Sequence, residues 1–158
     1  MILIAHRGLL TGPNPEIENT PVQIEYALAG GYAVETDVWR IDGDWFLGHD
    51  RPQYRVSMKF LRQRGLWLHC KNLAALDELS RTSFRLNYFW HERDSYTLTS
   101  YGHIWAYPSH VVSTKTIAVM PEWEDPELLN IHDLAENCIG ICSDYIIRIN
   151  DLLNDRAF

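Results

Sequence analysis

Residues 20–38 read TPVQIEYALAGGYAVETDV and contain a helix followed directly by a strand. Thr20 can cap a helix through its hydroxyl group, and Pro21 suits the first helical position. Gly30-Gly31 predicts the end of that helix, and the apolar run over residues 32–38 predicts a buried strand. A helix followed by a buried strand is the repeating unit of an α/β fold.

Further short apolar runs extend this pattern along the whole chain. Several are continuous and not alternating, which is typical of parallel strands covered on both faces. Helical patterns lie between some of them, clearly over residues 72–81 and more weakly over residues 57–64 and 125–135. We therefore predict a single α/β domain over residues 1–158, with strands at residues 2–5, 32–38, 45–47, 66–68, 86–90, 104–107, 116–120 and 138–142.

The composition is that of one globular domain and excludes several classes of function. The chain has 158 residues, of which 46% are hydrophobic, and its 14 Lys and Arg are outnumbered by 21 Asp and Glu. This acidic balance argues against a nucleic-acid partner.

No apolar run approaches the ~18 residues of a membrane span, and the N-terminus lacks the apolar stretch of a secretion signal. Cys70, Cys138 and Cys142 lie in apolar stretches and predict buried, reduced thiols, so we expect a cytoplasmic protein.

Polar side chains stand at the carboxyl ends of the predicted strands, where α/β proteins place their functional groups. Each of these ends carries a charge or an imidazole: His6-Arg7-Gly8, Glu35 with Asp37, Gly48-His49-Asp50 and His69-Cys70-Lys71. Glu35 and Asp37 are two residues apart on one strand and therefore share a face. On an interior face these two carboxylates need a cation such as Mg²⁺ or Ca²⁺, whereas on an exposed edge strand they would simply be solvated.

The basic groups at the same ends predict a phosphate site. Arg7 offers a planar fork that suits phosphate oxygens, and Lys71 adds a compact second positive charge. A glycine follows Arg7 and another precedes His49, which leaves room for a ligand beside His6 and His49. The alternative is a solvated basic surface with two hydrogen-bonded histidines at strand ends.

Taken in order, these motifs resemble the glycerophosphodiester phosphodiesterase family, in the superfamily of phospholipase-C-like phosphodiesterases. The resemblance covers residues 4–50 and is carried by His6-Arg7-Gly8, Glu18-Asn19-Thr20, Glu35-Thr36-Asp37-Val38 and His49-Asp50. Residues 139–145, IGICSDY, are similar to the ending of the family's last barrel strand. Residues 86–135 resemble no motif that we can name.

The resemblance implies a TIM-type barrel and metal-dependent hydrolysis of a phosphodiester of a small alcohol, usually glycerol. The roles that it implies are general acid and base for His6 and His49, phosphate binding for Arg7 and Lys71, and binding of one divalent cation for Glu35 and Asp37. Glu18 would face the site or support a metal ligand, while Asn19 and Thr20 would shape the loop and cap the helix. Two alternatives stay open: a protein that binds phosphate or a head group without turnover, and a lyase that stops at a cyclic phosphate.

His69 is the main departure from the family's pattern. The family has a metal-binding Glu two residues before its phosphate-binding Lys, and here the Lys is Lys71 while the Glu is replaced by His69. A His ligand beside two carboxylates favours Mn²⁺ or Zn²⁺ over the Mg²⁺ or Ca²⁺ that the resemblance implies. The alternative is that His69 is not a ligand and that water completes the cation's coordination.

The length gives two further expectations. A (β/α)₈ barrel usually takes about 250 residues, so we predict a compact or truncated TIM-type barrel with several outer helices shortened or missing. Apolar strand faces left uncovered on one side could be buried against a second copy, which predicts a homodimer.

The family's long insertion after His49-Asp50 is reduced to residues 51–56, so the site should be open. Trp39 and Trp45 could stack on a choline-like head group, but a core role is the expectation for both.

Overall fold

The computed structural model describes residues 1–155, which form ten strands and five α-helices. The strands are β1 (Ile2–His6), β2 (Ala33–Ile41), β3 (Asp44–Leu47), β4 (Tyr54–Val56), β5 (Leu66–Cys70), β6 (Asn87–Trp90), β7 (Tyr96–Leu98), β8 (Ile104–Ala106), β9 (Thr116–Val119) and β10 (Gly140–Ser143). The helices are α1 (Pro21–Ala29), α2 (Met58–Leu61), α3 (Leu73–Arg81), α4 (Ile131–Asn137) and α5 (Ile146–Asn154), with a 3₁₀ turn at Pro121–Trp123.

The strands form one curled, mixed sheet with the shape of a half-barrel. Seven neighbouring strands are mutually parallel, in the order β6, β5, β2, β1, β10, β9 and β8. β1 lies between β2 and β10, so the first parallel strand of the chain pairs with the last. β3 and β4 extend from β2 as an antiparallel hairpin, and β7 pairs antiparallel with β8. The prediction of an α/β fold is confirmed.

The core has one layer on each face of the sheet. The convex face packs against α1, α3, α4 and α5, and Trp45 is buried in this layer, as a core role requires. The concave face holds a smaller cluster with one residue from each of six parallel strands: Ile4, Trp67, Phe89, Trp105, Ile117 and Cys142. The ring of Trp105 lies 5.9 Å from that of Trp67 and 4.7 Å from that of Phe89, which shows how tightly the sheet curls.

Because alternate residues of a strand share one face, the strands that form the concave cluster also direct functional side chains to the concave face. Ile4 belongs to the concave cluster, and His6, two residues further along β1, projects from the same face. Trp67 and His69 stand in the same relation on β5. The charged strand ends therefore lie above the concave core.

The clear helix predictions are confirmed with their caps. The Thr20 hydroxyl accepts a hydrogen bond from the Gln23 N–H at 3.3 Å and begins α1, while the Asn72 side chain accepts from the Ala75 N–H at 3.0 Å and begins α3. All eight predicted apolar runs contain strands. No helix within residues 1–155 is both long enough and apolar enough to span a membrane.

The start of one predicted helix differs from the structure, and two further features were not predicted from the sequence. The helix predicted from residue 125 begins at Ile131, because residues 121–130 form a 3₁₀ turn and a loop in which the Asp125 carboxylate accepts from the Asn130 N–H. The strand at residues 45–47 runs antiparallel to β2, because Asp42 and Gly43 both have positive φ (48° and 86°) and make a tight hairpin turn. Helix α5 was not predicted, although its buried Ile146 and Ile149 have helical spacing.

Candidate functional site

A cavity of about 410 Å³ lies at the carboxyl ends of the parallel strands. Seven of the eight residues predicted from the sequence line it: His6, Arg7, Glu35, Asp37, His49, His69 and Lys71. They come from β1, β2, the hairpin loop after β3, and β5, so the fold assembles in one place residues spread over 66 positions of the chain.

Glu35 and Asp37 form the buried floor of this cavity. Their side chains are 2% and 1% exposed, and β2 pairs with β1 on one side and β5 on the other. The alternative of two solvated carboxylates on an edge strand is therefore wrong. Two buried like charges are unfavourable unless cationic groups or a metal ion compensate them.

Three cationic side chains surround the Asp37 carboxylate. Nδ1 of His69 lies 3.0 Å from Oδ1, Nζ of Lys71 lies 3.5 Å from Oδ1, and Nε of Arg7 lies 3.4 Å from Oδ2. Burial alone would favour the neutral acid, but the hydrogen bond and charge of His69, with the charges of Lys71 and Arg7, hold the pKa of Asp37 well below its usual range. Asp37 is therefore ionised throughout the physiological range.

Asn19 fixes the orientation of Asp37. Its fully buried amide donates to Asp37 Oδ2 at 2.9 Å, and its carbonyl accepts from Thr36 Oγ1 and from the Asp37 N–H. The other carboxylate oxygen, Asp37 Oδ1, is buried and faces His69 and Lys71. The sequence assigned Asn19 only to loop shape, because this contact joins the loop to a strand 17 residues away.

The His69 ring is held so that Nδ1 faces the two carboxylates. Nε2 lies 2.8 Å from the carbonyl oxygen of His91, which can only accept, so Nε2 carries a proton. The ring stacks on Phe89 with centroids 5.0 Å apart, and Nδ1 lies 3.6 Å from Glu35 Oε1. Burial opposes the charged ring, but the hydrogen bonds to Asp37 and Glu35 outweigh it and raise the pKa of His69 to about 9.

Glu35, Asp37 and His69 fit a divalent cation. Each offers one ligand atom, and these atoms lie within 4.8 Å of one another. When Nδ1 of His69 gives up its proton, its lone pair already points at the carboxylates, since the other nitrogen is fixed as the donor to His91. Two oxygen ligands and one imidazole form a donor set that suits Mn²⁺ or Zn²⁺ better than Ca²⁺.

The raised pKa of His69 makes the stability of the metal-free protein depend on pH. Because the folded protein holds this proton up to about pH 9 and the unfolded chain releases it near 6.5, the stabilisation is complete below 6.5 and disappears as the pH rises through 9. We expect the free energy of unfolding in EDTA to fall by up to about 3 kcal/mol over this interval. Urea denaturation at several pH values, in the presence of EDTA, measures this free energy of unfolding.

The matched variant for this experiment is His69→Gln. It should flatten the fall between pH 6.5 and 9 while leaving any other pH dependence in place. Parallel curves for the wild type and His69→Gln would show that His69 does not hold the extra proton.

His6 forms a pair with Asp144 at the end of β10. Nδ1 of His6 lies 2.7 Å from Asp144 Oδ1, and Nε2 lies 3.9 Å from Glu35 Oε2. Burial disfavours the charged ring, but the hydrogen bond to Asp144 and the charge of Glu35 together raise the pKa of His6. This is the geometry of a general acid or base, with one nitrogen fixed by a carboxylate and the other free for a reacting group. The sequence placed Asp144 in a family-like motif but gave it no role.

His49 reaches the same cavity from the loop between β3 and β4. Its Nδ1 lies 2.7 Å from Asp50 Oδ1, and its side chain is 35% exposed at the mouth. The preceding Gly48 donates its N–H to the Asp37 carbonyl and accepts from the Trp39 indole. A Cβ at Gly48 would come within 2.2 Å of the Arg51 carbonyl, and its φ of 141° also favours glycine.

Arg7 and Glu18 form the other side of the site. The Arg7 N–H donates to Glu35 Oε2 at 3.2 Å, and its guanidinium donates to Glu18 Oε2 at 3.0 Å. Glu18 thus supports Arg7, and within residues 1–155 the group able to hold a metal consists of Glu35, Asp37 and His69. Glu18 stays a supporting residue in this arrangement.

The far wall of the cavity holds residues that the sequence did not indicate as functional, among them His91, Tyr107 and Trp123. The His91 ring lies 6.3 Å from that of His69 and 5.7 Å from that of Tyr107. Burial and the charge of His69 lower the pKa of His91. His91 follows the run at residues 86–90 as His6 follows residues 2–5, a signal that could have found it.

The cavity therefore combines two carboxylate-paired imidazoles, the two cationic side chains of Arg7 and Lys71, and a candidate metal group. Such an arrangement can bind an anion, stabilise added negative charge and move protons at two positions. Comparisons of the chain with models of known protein families, with curated proteins and with solved structures found no match.

Proposed function

We propose that the protein is a metal-dependent phosphodiesterase that cleaves a phosphodiester of a small alcohol, on a truncated TIM-type barrel. The observation that carries this proposal is the shared cavity in which His6 and His49 lie beside Glu35, Asp37 and His69. The resemblance of residues 4–50 to the glycerophosphodiester phosphodiesterase family supports it and suggests glycerol as the alcohol.

The substrate's phosphate would bind Arg7 and Lys71. Both cations line the cavity and lie within 3.5 Å of Asp37, which holds them in place. Glu35, Asp37 and His69 would hold one divalent cation, and this ion would withdraw electron density from the phosphoryl oxygens. Its charge adds to that of Arg7 and Lys71 in the stabilisation of the transition state.

The two histidines would divide the proton transfers. His6 is half-buried and has a raised pKa, so it would carry the proton that Nε2 gives to the departing alkoxide as its P–O bond breaks. His49, at the open mouth, would take the proton from a water molecule as the water oxygen forms the new P–O bond. Asp144 and Asp50 keep each ring oriented during the transfer.

Phosphorus NMR of the reaction tests this function. Purified protein is supplied in turn with Mg²⁺, Ca²⁺, Mn²⁺ and Zn²⁺ and incubated with glycerophosphodiesters and an aryl phosphodiester. A phosphomonoester product supports hydrolysis, whereas a cyclic phosphate supports the lyase. Calorimetric binding of glycerophosphate without any turnover would replace the enzyme by a binding protein.

His69→Glu is expected to change the preferred metal. A third carboxylate replaces the imidazole and makes an all-oxygen donor set, which favours Mg²⁺ and Ca²⁺. We expect the ratio of activity with Mg²⁺ to activity with Mn²⁺ to rise by about tenfold. Metal-dependence curves for the wild type, His69→Glu and the control His69→Gln measure this ratio. Identical curves for the wild type and His69→Gln would remove His69 from the ligand set.

A further inference from the structure

A second cavity, of about 530 Å³, lies on the convex side of the sheet beside β8 and β9. Residues 107–115, which join these two strands, form no helix, so the convex face of β8 and β9 is less covered here than over β1 and β2. Ala106, Ala118 and Ile131 form its apolar floor. We call this cavity the outer groove, and its size lies within the range of about 300–1,000 Å³ that small-molecule sites occupy.

The outer groove adjoins the cavity lined by Glu35, Asp37 and His69, which we call the catalytic cavity. Tyr107, Pro108 and Val119 line both. Along β9 and the end of β8, Ala106 and Ala118 face the groove while Tyr107 and Val119 alternate towards the concave side. The ends of these two strands thus form a ledge that a ligand can cross from one cavity to the other.

We propose that the outer groove binds the hydrocarbon chain of an amphiphilic phosphodiester whose phosphate occupies the catalytic cavity. The inference rests on the proposed function and extends it from small diesters to single-chain ones. The apolar floor provides the favourable surface for a chain, and the shared ledge provides the continuity with the phosphate site. Glu124 and Asp133 at the exposed rim would repel a second phosphate, so the far end of the ligand should carry no negative charge.

A pair of matched esters tests the proposal: p-nitrophenyl methyl phosphate and p-nitrophenyl dodecyl phosphate, the latter below its micellar concentration. The leaving group is the same, so the chain alone differs. We expect kcat/KM to be at least about tenfold higher for the dodecyl ester in the wild type. Equal values for the two esters would overturn the proposal.

Two groove variants give the matched comparison. Ala118→Leu narrows the floor, and Leu134→Gln makes the wall on α4 polar. Each should lower the preference for the dodecyl ester at least about fivefold without changing turnover of the methyl ester. Leu73→Gln, the same change at an exposed position on α3, should leave the preference unchanged. A preference that survives both groove variants would contradict the assignment.

Measurement of ligand binding tests the outer groove independently of the proposed phosphodiesterase activity. If neither ester is cleaved, the phosphodiesterase proposal fails. Calorimetry with dodecyl phosphate and methyl phosphate then still shows whether the outer groove binds a hydrocarbon chain. Tighter binding of dodecyl phosphate that Leu134→Gln weakens supports the chain site. Light scattering that shows a dimer dissociated by Leu134→Gln would instead assign the groove to an interface between copies and overturn the proposal.

Discussion

Replacement of His6 by alanine is expected to lower kcat by a factor of about 100 to 10,000, the range that one general acid or base contributes. His6 is held by Asp144 on one nitrogen and is directed at the cavity with the other. Because the candidate metal group does not include His6, the variant is expected to bind a divalent cation as well as the wild type. Steady-state kinetics with saturating metal measures kcat.

His132→Ala is the matched control for this substitution. His132 is exposed on α4 and does not line the catalytic cavity, so its removal should leave kcat unchanged. A kcat for His6→Ala within threefold of the wild type would mean that the proton transfers occur elsewhere.

Asp37→Asn is expected to abolish metal-dependent activity and to weaken metal binding at least about 100-fold. The substitution removes a buried charge that contacts Arg7, His69 and Lys71. Loss of one partner from a buried ion pair typically costs about 3–5 kcal/mol, so the metal-free variant should also be less stable. Calorimetric metal titration and urea denaturation measure the two effects.

Asp133→Asn provides the control for Asp37→Asn. Asp133 is an exposed carboxylate on α4, so the same chemical change there should alter neither metal affinity nor stability by a measurable amount. Unchanged metal affinity in Asp37→Asn would show that the Asp37 carboxylate on β2 is not a metal ligand.

Much of the site could be predicted because strand periodicity is local. The two-residue spacing of Glu35 and Asp37, and of His69 and Lys71, places each pair on one face of its strand. Parallel strands then bring those faces to one edge of the sheet, where the structure shows the cavity. His6 follows from the same rule.

The parts that sequence reasoning missed depend on contacts between distant residues. The hydrogen bond from His6 to Asp144 joins positions 138 residues apart, and no local pattern reveals it. The support that Asn19 gives to Asp37 needs a left-handed backbone at Asn19, with φ of 57°. The antiparallel direction of β3, by contrast, could have been predicted from the sequence, because Asp42-Gly43 is a typical hairpin turn.

The fold is predicted least well where tertiary packing outweighs local preference. Helix α5 has no side-chain cap at Tyr145 to mark its start, so the helical spacing of Ile146 and Ile149, which the structure buries, is its main signal in the sequence. Strands β4 and β7 have three residues each and, unlike the equally short β8, contain no continuous apolar run.

A metal titration of phosphodiester hydrolysis tests whether the protein is a metal-dependent phosphodiesterase. Protein stripped with EDTA is titrated with Mn²⁺ while release of p-nitrophenol from an aryl phosphodiester is followed. We expect no turnover without metal and saturation at one ion per chain, bound by Glu35, Asp37 and His69. Equal turnover with and without EDTA, or no turnover with any of the four cations, would contradict it.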